Sequence, residues 1–173
     1  MEGDCWQMNE LERFIDVWDR EAAKTVKLLQ TIPKDQYDYR PDPEGRSIGE
    51  MAWHLAEGEA YGSFFAAKGA YAMDERPPGM QRPKSVEALA PEYERVHREA
   101  RERLSGYTAE DLDRPIKTFG GDVPMRDHLW DFIVLHGAHH RGQLTMMIRQ
   151  SGGKPAGMFG PTREEFPLPK PKA

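Results

Sequence analysis

A cluster of histidines near the end of the chain is the feature that most constrains the fold. Three of the six histidines lie between positions 136 and 140. They belong to a stretch from about residue 125 to residue 150 that we predict as one helix. Residues four apart on a helix lie on the same face, so His136 and His140 can direct both imidazoles toward one point. Two convergent imidazoles are what a single helix can contribute to a transition-metal site.

The periodicity of this stretch indicates which histidines face the protein interior. Steps of four and three residues trace one continuous buried face. Its members are Leu129, Ile133, His136, His140, Gln143 and Met147. His139 lies beside this face. The alternative interpretation is a set of core histidines satisfied by hydrogen bonds, or an exposed polar patch. A metal site therefore requires a third ligand from another helix.

The third ligand that we predict is His54. Ser47 and Glu50 have the spacing of a capping box, which predicts a helix from there to about residue 68. The apolar face of that helix consists of Met51, His54, Gly58, Tyr61 and Phe65. A histidine on such a face loses solvation unless its nitrogens find partners. Gly58, one turn further on, leaves room for a ligand or a closely packed helix. Two helices with histidines on their buried faces indicate one shared site.

These motifs resemble those of the DinB/YfiT superfamily. The resemblance covers about residues 11–161. It is carried by His54-Leu55, by the string His136-x-x-His139-His140-Arg141-Gly142-Gln143, and by the glycine- and proline-containing segments 152–155 and 159–161. The superfamily implies a four-helix bundle in which three histidines hold a divalent metal, one from the second helix and an i, i+4 pair from the last. By position, the resemblance implies His54, His136 and His140 as the ligands.

Helical periodicity extends over most of the chain. We predict an all-α protein, a four-helix bundle with long loops, formed as a single domain over residues 1–173. The core of this domain covers about residues 9–161, and residues 162–173 form an extended proline-rich C-terminal tail.

The remaining elements are placed by apolar spacing and by loop-forming residues. The first helix is predicted from Leu11 to Ile32, and the third begins after Ser85, with Pro91 indicating a kink or a later start. Residues 108–112 are expected to form one extra turn. Residues 114–123, which include two glycines, are expected to form a short hairpin or an ordered loop.

Composition excludes several classes of protein. The net charge is −5 with 31% charged residues, and no basic patch typical of nucleic-acid binding occurs. The single cysteine, Cys5, excludes an internal disulfide and a cysteine-based zinc site. No apolar run approaches the length of a membrane span, and the N-terminus is too acidic for a signal peptide. We therefore expect a cytoplasmic protein without nucleic-acid or membrane partners.

Two residues next to the histidines are candidates for a supporting role. Gln143 is expected either to orient a water bound at the metal or to form a hydrogen bond across the core. Arg141 lies off the buried face, and we expect it to pair with a carboxylate of a neighbouring helix rather than to bind substrate.

Four other ionisable residues are expected to play smaller parts. Glu57 and Glu59 are close to His54 in sequence but off its face, so we interpret them as helix surface or as outer partners of the site. His97 and His128 are interpreted as surface residues, with a place at the mouth of the site as an alternative for His128.

The predicted ligand set suits two kinds of chemistry. Three neutral imidazoles leave a divalent ion its full charge and an open coordination position. Such an ion lowers the pKa of bound water to about 7 and can hold a thiol as thiolate. No carboxylate on the two buried faces offers itself as a general base, which favours the thiol reaction over hydrolysis. Zinc is the metal we expect, with nickel, iron or manganese as alternatives.

The resemblance adds a more specific hypothesis about function. It implies a thiol-dependent S-transferase that uses bacillithiol or a similar low-molecular-weight thiol, with an electrophilic small molecule as second substrate. A non-catalytic, stress-related metal-binding bundle is the alternative, and a metal-dependent hydrolase is a weaker one. We also expect a homodimer, because Trp6, Trp130 and the aromatic residues of the second helix exceed what a small bundle must bury.

Overall fold

The computed structural model describes residues 8–166 and is mostly helical. Its first three helices are α1 (Glu10–Leu29), α2 (Ile48–Lys68) and α3 (Val86–Leu104). Helices α1 and α2 begin with capping boxes. The side chains of Asn9 and Ser47 accept hydrogen bonds from the backbone three residues further on, and Glu12 and Glu50 bond back to the cap residues. The predicted start of the second helix is therefore confirmed.

The last helical stretch runs from residue 125 to residue 150 but changes its winding. It consists of α4 (Met125–His128), a π-helical segment (Leu129–Leu135) and α5 (His136–Gln150). The wider π turns bury the adjacent residues Ile133 and Val134. Such segments are rare within helices and often occur at functional sites. Regular α-helical spacing resumes at His136, which is where the predicted metal-binding pair begins.

A small antiparallel sheet precedes this stretch. It consists of β1 (Pro115–Thr118) and β2 (Gly121–Pro124), and Gly121 permits the tight turn with φ at 119°. A short 3₁₀ helix, Ala109–Asp113, forms the expected extra turn. The hairpin was one of the two alternatives for this region, and its presence shows that the all-α prediction is wrong in this respect.

Helix α3 accommodates a proline in its second turn. It begins at Val86, directly after Ser85 as predicted, so the later start that was one alternative for Pro91 is excluded. The missing proline N–H would have bonded to the carbonyl of Glu87, one turn earlier. Because Glu87 and Pro91 are both exposed, that carbonyl can bond to water instead.

The beginning of the C-terminal tail is folded back rather than extended. Residues 162–166 form a turn, and Glu164 accepts two hydrogen bonds of 3.0 Å from Arg149 of α5. The prediction of an extended tail is therefore wrong for this part, and for residues 167–173 it lies outside the described residues. Cys5 and Trp6 also lie outside them.

Four helical stretches surround a core that contains a polar layer. Helices α1 and α2 each pack against α3 and α5. The apolar residues form two clusters, one around Leu28 and Ile48 and the other around Phe14 and Leu129. Buried polar residues lie where these clusters meet, namely Glu21, Thr25, Glu59, Ser63, His140 and Arg141. Buried polar groups require partners, so this layer is where a functional site is expected. Within residues 8–166, no helix is long and apolar enough to cross a membrane.

Candidate metal centre

Three histidines from two helices converge in the polar layer. His54 comes from α2, and His136 and His140 come from α5, with one possible ligand atom of each lying within 4.8 Å of the others. The Nε2 atoms of His136 and His140 are 2.8 Å apart. The ring of His54 lies 5.7 Å from that of His136 and 4.5 Å from that of His140, centre to centre. The geometry and the nitrogen donors fit a transition-metal ion with an open coordination position.

Glycines on α2 bring the two helices together. A Cβ atom on Gly62 would lie 2.5 Å from Cγ1 of Ile133, so only glycine permits this close approach to the π-helical segment. A Cβ on Gly58 would lie 3.8 Å from Nδ1 of His136, which is ordinary contact. Gly62 therefore serves the packing that places His54 opposite His136.

The outward nitrogen of each imidazole has its own hydrogen-bond partner. Nδ1 of His54 lies 3.1 Å from Oε2 of Glu57, and Nδ1 of His140 lies 2.7 Å from Oε1 of Gln143. His136 forms a hydrogen bond with the backbone of Phe132. If Nδ1–H donates in each case, the Nε2 lone pairs face the common point. Such outer bonds fix the tautomer and orientation of metal-binding histidines.

The contact of Gln143 differs from both predicted alternatives. Its partner is His140, one turn back on the same helix, rather than a water or a residue across the core. Of the two alternatives for Glu57, helix surface or outer partner of the site, the contact with His54 supports the second. His139 is exposed and is not part of the cluster, as the periodicity predicted.

Burial keeps two of the histidines in the neutral form that binds metals. Desolvation, together with the nearby His136 and His54, lowers the pKa of His140 to about 4, although the hydrogen bond to Gln143 opposes the shift. Desolvation also lowers the pKa of His136, with His54 and His139 adding to the effect. Both imidazoles are therefore neutral at pH 7, as metal ligation requires.

Behind the histidines, an ion pair links the last helix to the first. Arg141 donates hydrogen bonds to the carboxylate of Glu21 and, at 3.3 Å, to Oγ1 of Thr25. This confirms that Arg141 pairs with a carboxylate of a neighbouring helix. Within residues 8–166, Nε of Arg141 and Nε1 of Trp18 are buried without a hydrogen-bond partner. Both side chains line a small cavity that also reaches the three histidines.

A second series of hydrogen bonds connects three helices in the same layer. Glu59 accepts a hydrogen bond from the hydroxyl of Tyr93 and one of 2.6 Å from Nδ1 of His97. Nε2 of His97 lies 3.0 Å from Asp19. Because carboxylates only accept, both nitrogens of His97 must donate. Burial alone lowers the pKa of His97, but the bonds to Glu59 and Asp19 outweigh it and raise the pKa overall.

Three sequence interpretations are corrected by these contacts. Glu59 is buried inside the polar layer rather than on the helix surface, and the side chain of His97 is only 15% exposed, with both nitrogens in contact with carboxylates. His128 is also buried rather than at the surface, and it lines the cleft beside His136, which agrees with the alternative of a place at the mouth of the site. Its Nε2 donates to the carbonyl of Gly62 at 2.8 Å and its Nδ1 accepts from Tyr71, while desolvation lowers its pKa. These partners are distant in sequence, so helical periodicity could not identify them.

An open cleft with two lobes adjoins the histidines. The apolar lobe, about 380 Å³, reaches His54 and His136. It is lined further by Glu57, Gly58, Tyr61, Phe65, Tyr71, Met73, Phe119 and Phe132. The polar lobe, also about 380 Å³, reaches only His136 of the three. Its other lining residues are Tyr71, Thr118, Phe119, Gly120, Val123, Asp127, His128, Asp131 and Phe132. Sequence analysis missed the contribution of the hairpin, which places Phe119 between the lobes.

With this geometry established, comparison with known proteins identifies the class of protein. The sequence matches the DinB family over residues 8–170, and the chain belongs to that family. It is 28% identical to the uncharacterised protein YrdA of Bacillus subtilis, over 94% of this chain and 97% of that protein.

Two solved structures share the fold. One is a DinB-like protein from Bacillus cereus, with a TM-score of 0.71, 26% identity, and coverage of 86% of this chain and 97% of that one. The other is a DinB-like protein from Bacillus subtilis, with a TM-score of 0.66, 25% identity, and coverage of 82% and 93%. The predicted family is therefore confirmed.

Proposed function

We propose that this chain binds one divalent metal ion through Nε2 of His54, His136 and His140 and uses it in thiol-dependent S-transfer. The observation that carries the proposal is the convergence of three imidazoles within 4.8 Å beside an aromatic-lined cleft. Zinc is the metal we expect. Nickel, iron and manganese are alternatives for a site with three imidazole ligands and an open coordination position.

The chemistry divides between the ion and the protein. A bound divalent ion supplies positive charge that lowers the pKa of a thiol. Glu57, Gln143 and the backbone of Phe132 hold the imidazoles in one tautomer, and the apolar lobe keeps water from one side of the cleft. The thiol proton leaves to solvent, a sulfur–carbon bond forms at the electrophile, and the bond from that carbon to its leaving group breaks.

Hydrolysis is a second candidate because of one observation in the cleft. Asp127 and Asp131 line the polar lobe beside His136. Neither residue lies on the two buried helix faces, where the sequence analysis found no carboxylate that could act as a general base. A carboxylate near a metal can take a proton from water. Hydrolysis would depend on Asp131, whereas S-transfer would tolerate its change to asparagine.

The test uses metal-stripped protein reconstituted with zinc or cobalt. Thiols of different size and charge, bacillithiol among them, are combined with a chloro-arene or an epoxide, and ester hydrolysis is assayed in parallel. S-transfer predicts a metal-dependent conjugation rate that His136→Ala abolishes and His139→Ala retains. Metal binding without conjugation or hydrolysis would favour the non-catalytic, stress-related module.

We also propose that the chain forms a homodimer. Leu135 and Met146 are 59% and 57% exposed on the outer side of the last helical stretch. Trp130 contributes less to this exposed surface than predicted, because its ring packs edge-on against Phe14 within the chain, with ring centres 5.4 Å apart. Sedimentation at micromolar concentration should give a dimer, and a monomer would end this proposal.

A further inference from the structure

We propose that the cleft binds an aromatic amine, with the ring in the apolar lobe and the cationic nitrogen toward the polar lobe. This inference rests on the proposed function only in treating the cleft as the substrate site. The ligand would be a molecule with one aromatic body and no negative charge, presented next to His54 and His136.

The shape and lining of the apolar lobe carry the first part of this inference. Tyr71 stacks on Phe65 with ring centres 4.6 Å apart, and Phe119 and Phe132 meet Tyr71 edge-on at 5.7 Å each. Aromatic rings pack favourably in stacked and edge-on arrangements. A volume of about 380 Å³ suits a small organic molecule.

Exposed apolar side chains at the rim of the apolar lobe are the second observation that favours an aromatic ligand. Phe119, in the hairpin, is 80% exposed, and Met73, which lines the same lobe, is 61% exposed. Large apolar groups at that exposure gain from being covered by a ligand. Gly58 lines the lobe next to His136 and has no side chain, so a ring bound there can approach His136.

The charges around the cleft give the third part. Glu57, Asp127 and Asp131 are among the lining residues, and no lysine or arginine is among those described. Within residues 8–166, neither Asp127 nor Asp131 takes part in an ion pair. The positive charge of Arg46 contributes to the lowered pKa of His136, but Arg46 lines neither lobe. In the metal-free protein, this lining attracts a cation and repels a carboxylate.

The experiment measures binding on the full chain without metal. Methionine methyl groups are labelled with ¹³C, and the signals of Met73 and Met146 are assigned with Met73→Leu and Met146→Leu. The probes are 2-phenylethylamine, 2-phenylethanol and 3-phenylpropionate, which share a ring and differ in charge. Met146 is the internal control, because it lies outside the cleft.

The amine should shift the Met73 methyl signal by its ring current and leave that of Met146 unchanged. Its affinity should exceed that of the carboxylate at least about fivefold, since charges at a protein surface interact modestly. Asp131→Asn should reduce this preference, whereas Asp122→Asn, outside the cleft, should not. Phe119→Ala should weaken binding of all three probes, whereas the exposed control Phe159→Ala should leave it unchanged.

Three outcomes would overturn the inference. They are no shift at Met73, equal shifts at Met73 and Met146, or a carboxylate that binds as tightly as the amine. Because no metal is present, failure here differs from failure of the proposed function, which would show as absent metal binding or absent thiol chemistry in reconstituted protein.

Discussion

Arg141 of α5 and Glu21 of α1 form a buried ion pair directly beside the histidine cluster. Their side chains are 4% and 11% exposed. Because Arg141 follows His140 in the chain, the pair fixes the rotation of α5 about its own axis. The position of a candidate metal ligand therefore depends on a contact with a helix that supplies no ligand.

This pair should contribute strongly to stability. Arg141→Gln removes one partner and leaves the carboxylate of Glu21 buried, although Lys24 still contacts it at 2.6 Å. We expect a loss of about 3 kcal/mol in the free energy of unfolding, measured with urea. The matched control is Arg20→Gln, which removes the ion pair between Arg20 and Asp16, both in α1. Arg20 and Asp16 are 65% and 49% exposed, so its loss should stay below about 0.5 kcal/mol. Equal losses in the two variants would contradict the prediction.

Metal content should separate neighbouring histidines. Elemental analysis of protein purified without a histidine tag should give one divalent ion per chain. His140→Ala should remove most of it, and His139→Ala, which alters an exposed side chain outside the cluster, should not. The opposite result would show that the buried face was assigned wrongly.

An outer hydrogen bond should tune the affinity of the same site. Gln143→Ala removes the partner of Nδ1 of His140 without removing a ligand. Loss of such a bond typically weakens metal binding by about 10-fold to 100-fold. Competition with a zinc-binding dye measures this directly. Unchanged affinity in Gln143→Ala would mean that the bond does not orient the imidazole.

The stability of the fold should depend on pH through His97. Its pKa is raised by Glu59 and Asp19 against the effect of burial, so folding favours the charged form. The stabilisation is fully present below the unfolded pKa of about 6.5 and is lost as the pH rises through the higher folded pKa. His97→Gln should therefore destabilise the protein most at pH 5.5 and progressively less toward alkaline pH. Urea unfolding across this range tests it, with the exposed His139→Gln as control. A difference that grows with pH would refute the sign.

Two glycines on α2 should respond oppositely to the same substitution. Gly62→Ala places a methyl group 2.5 Å from Ile133, and overpacking of this kind costs about 1–3 kcal/mol. Gly58→Ala meets only an ordinary contact at 3.8 Å, and the higher helix propensity of alanine should stabilise the protein by up to about 1 kcal/mol. Thermal unfolding of the two variants provides the comparison. A stabilised Gly62→Ala would show that α2 and the π-helical segment are not in close contact.

The local features of this protein were determined by its sequence. Capping boxes and a period of three to four residues act within one helix, so they predicted the start of α2 and the common face of His136 and His140. His54 lies on an apolar face of α2, and a buried imidazole needs a hydrogen-bond or metal partner. Its position in the sequence therefore indicated a partner on another helix.

Tertiary structure decided what lies around the histidines. Glu59 and His97 are 38 residues apart, and His97 and Asp19 are 78 apart, so no periodicity links them. The hairpin that carries Phe119, the lobes of the cleft and the burial of His128 arise when distant segments pack together. Helical periodicity tells which side of a helix is buried, but only packing determines which side chains meet there, and the charge and shape of the cleft follow from that packing.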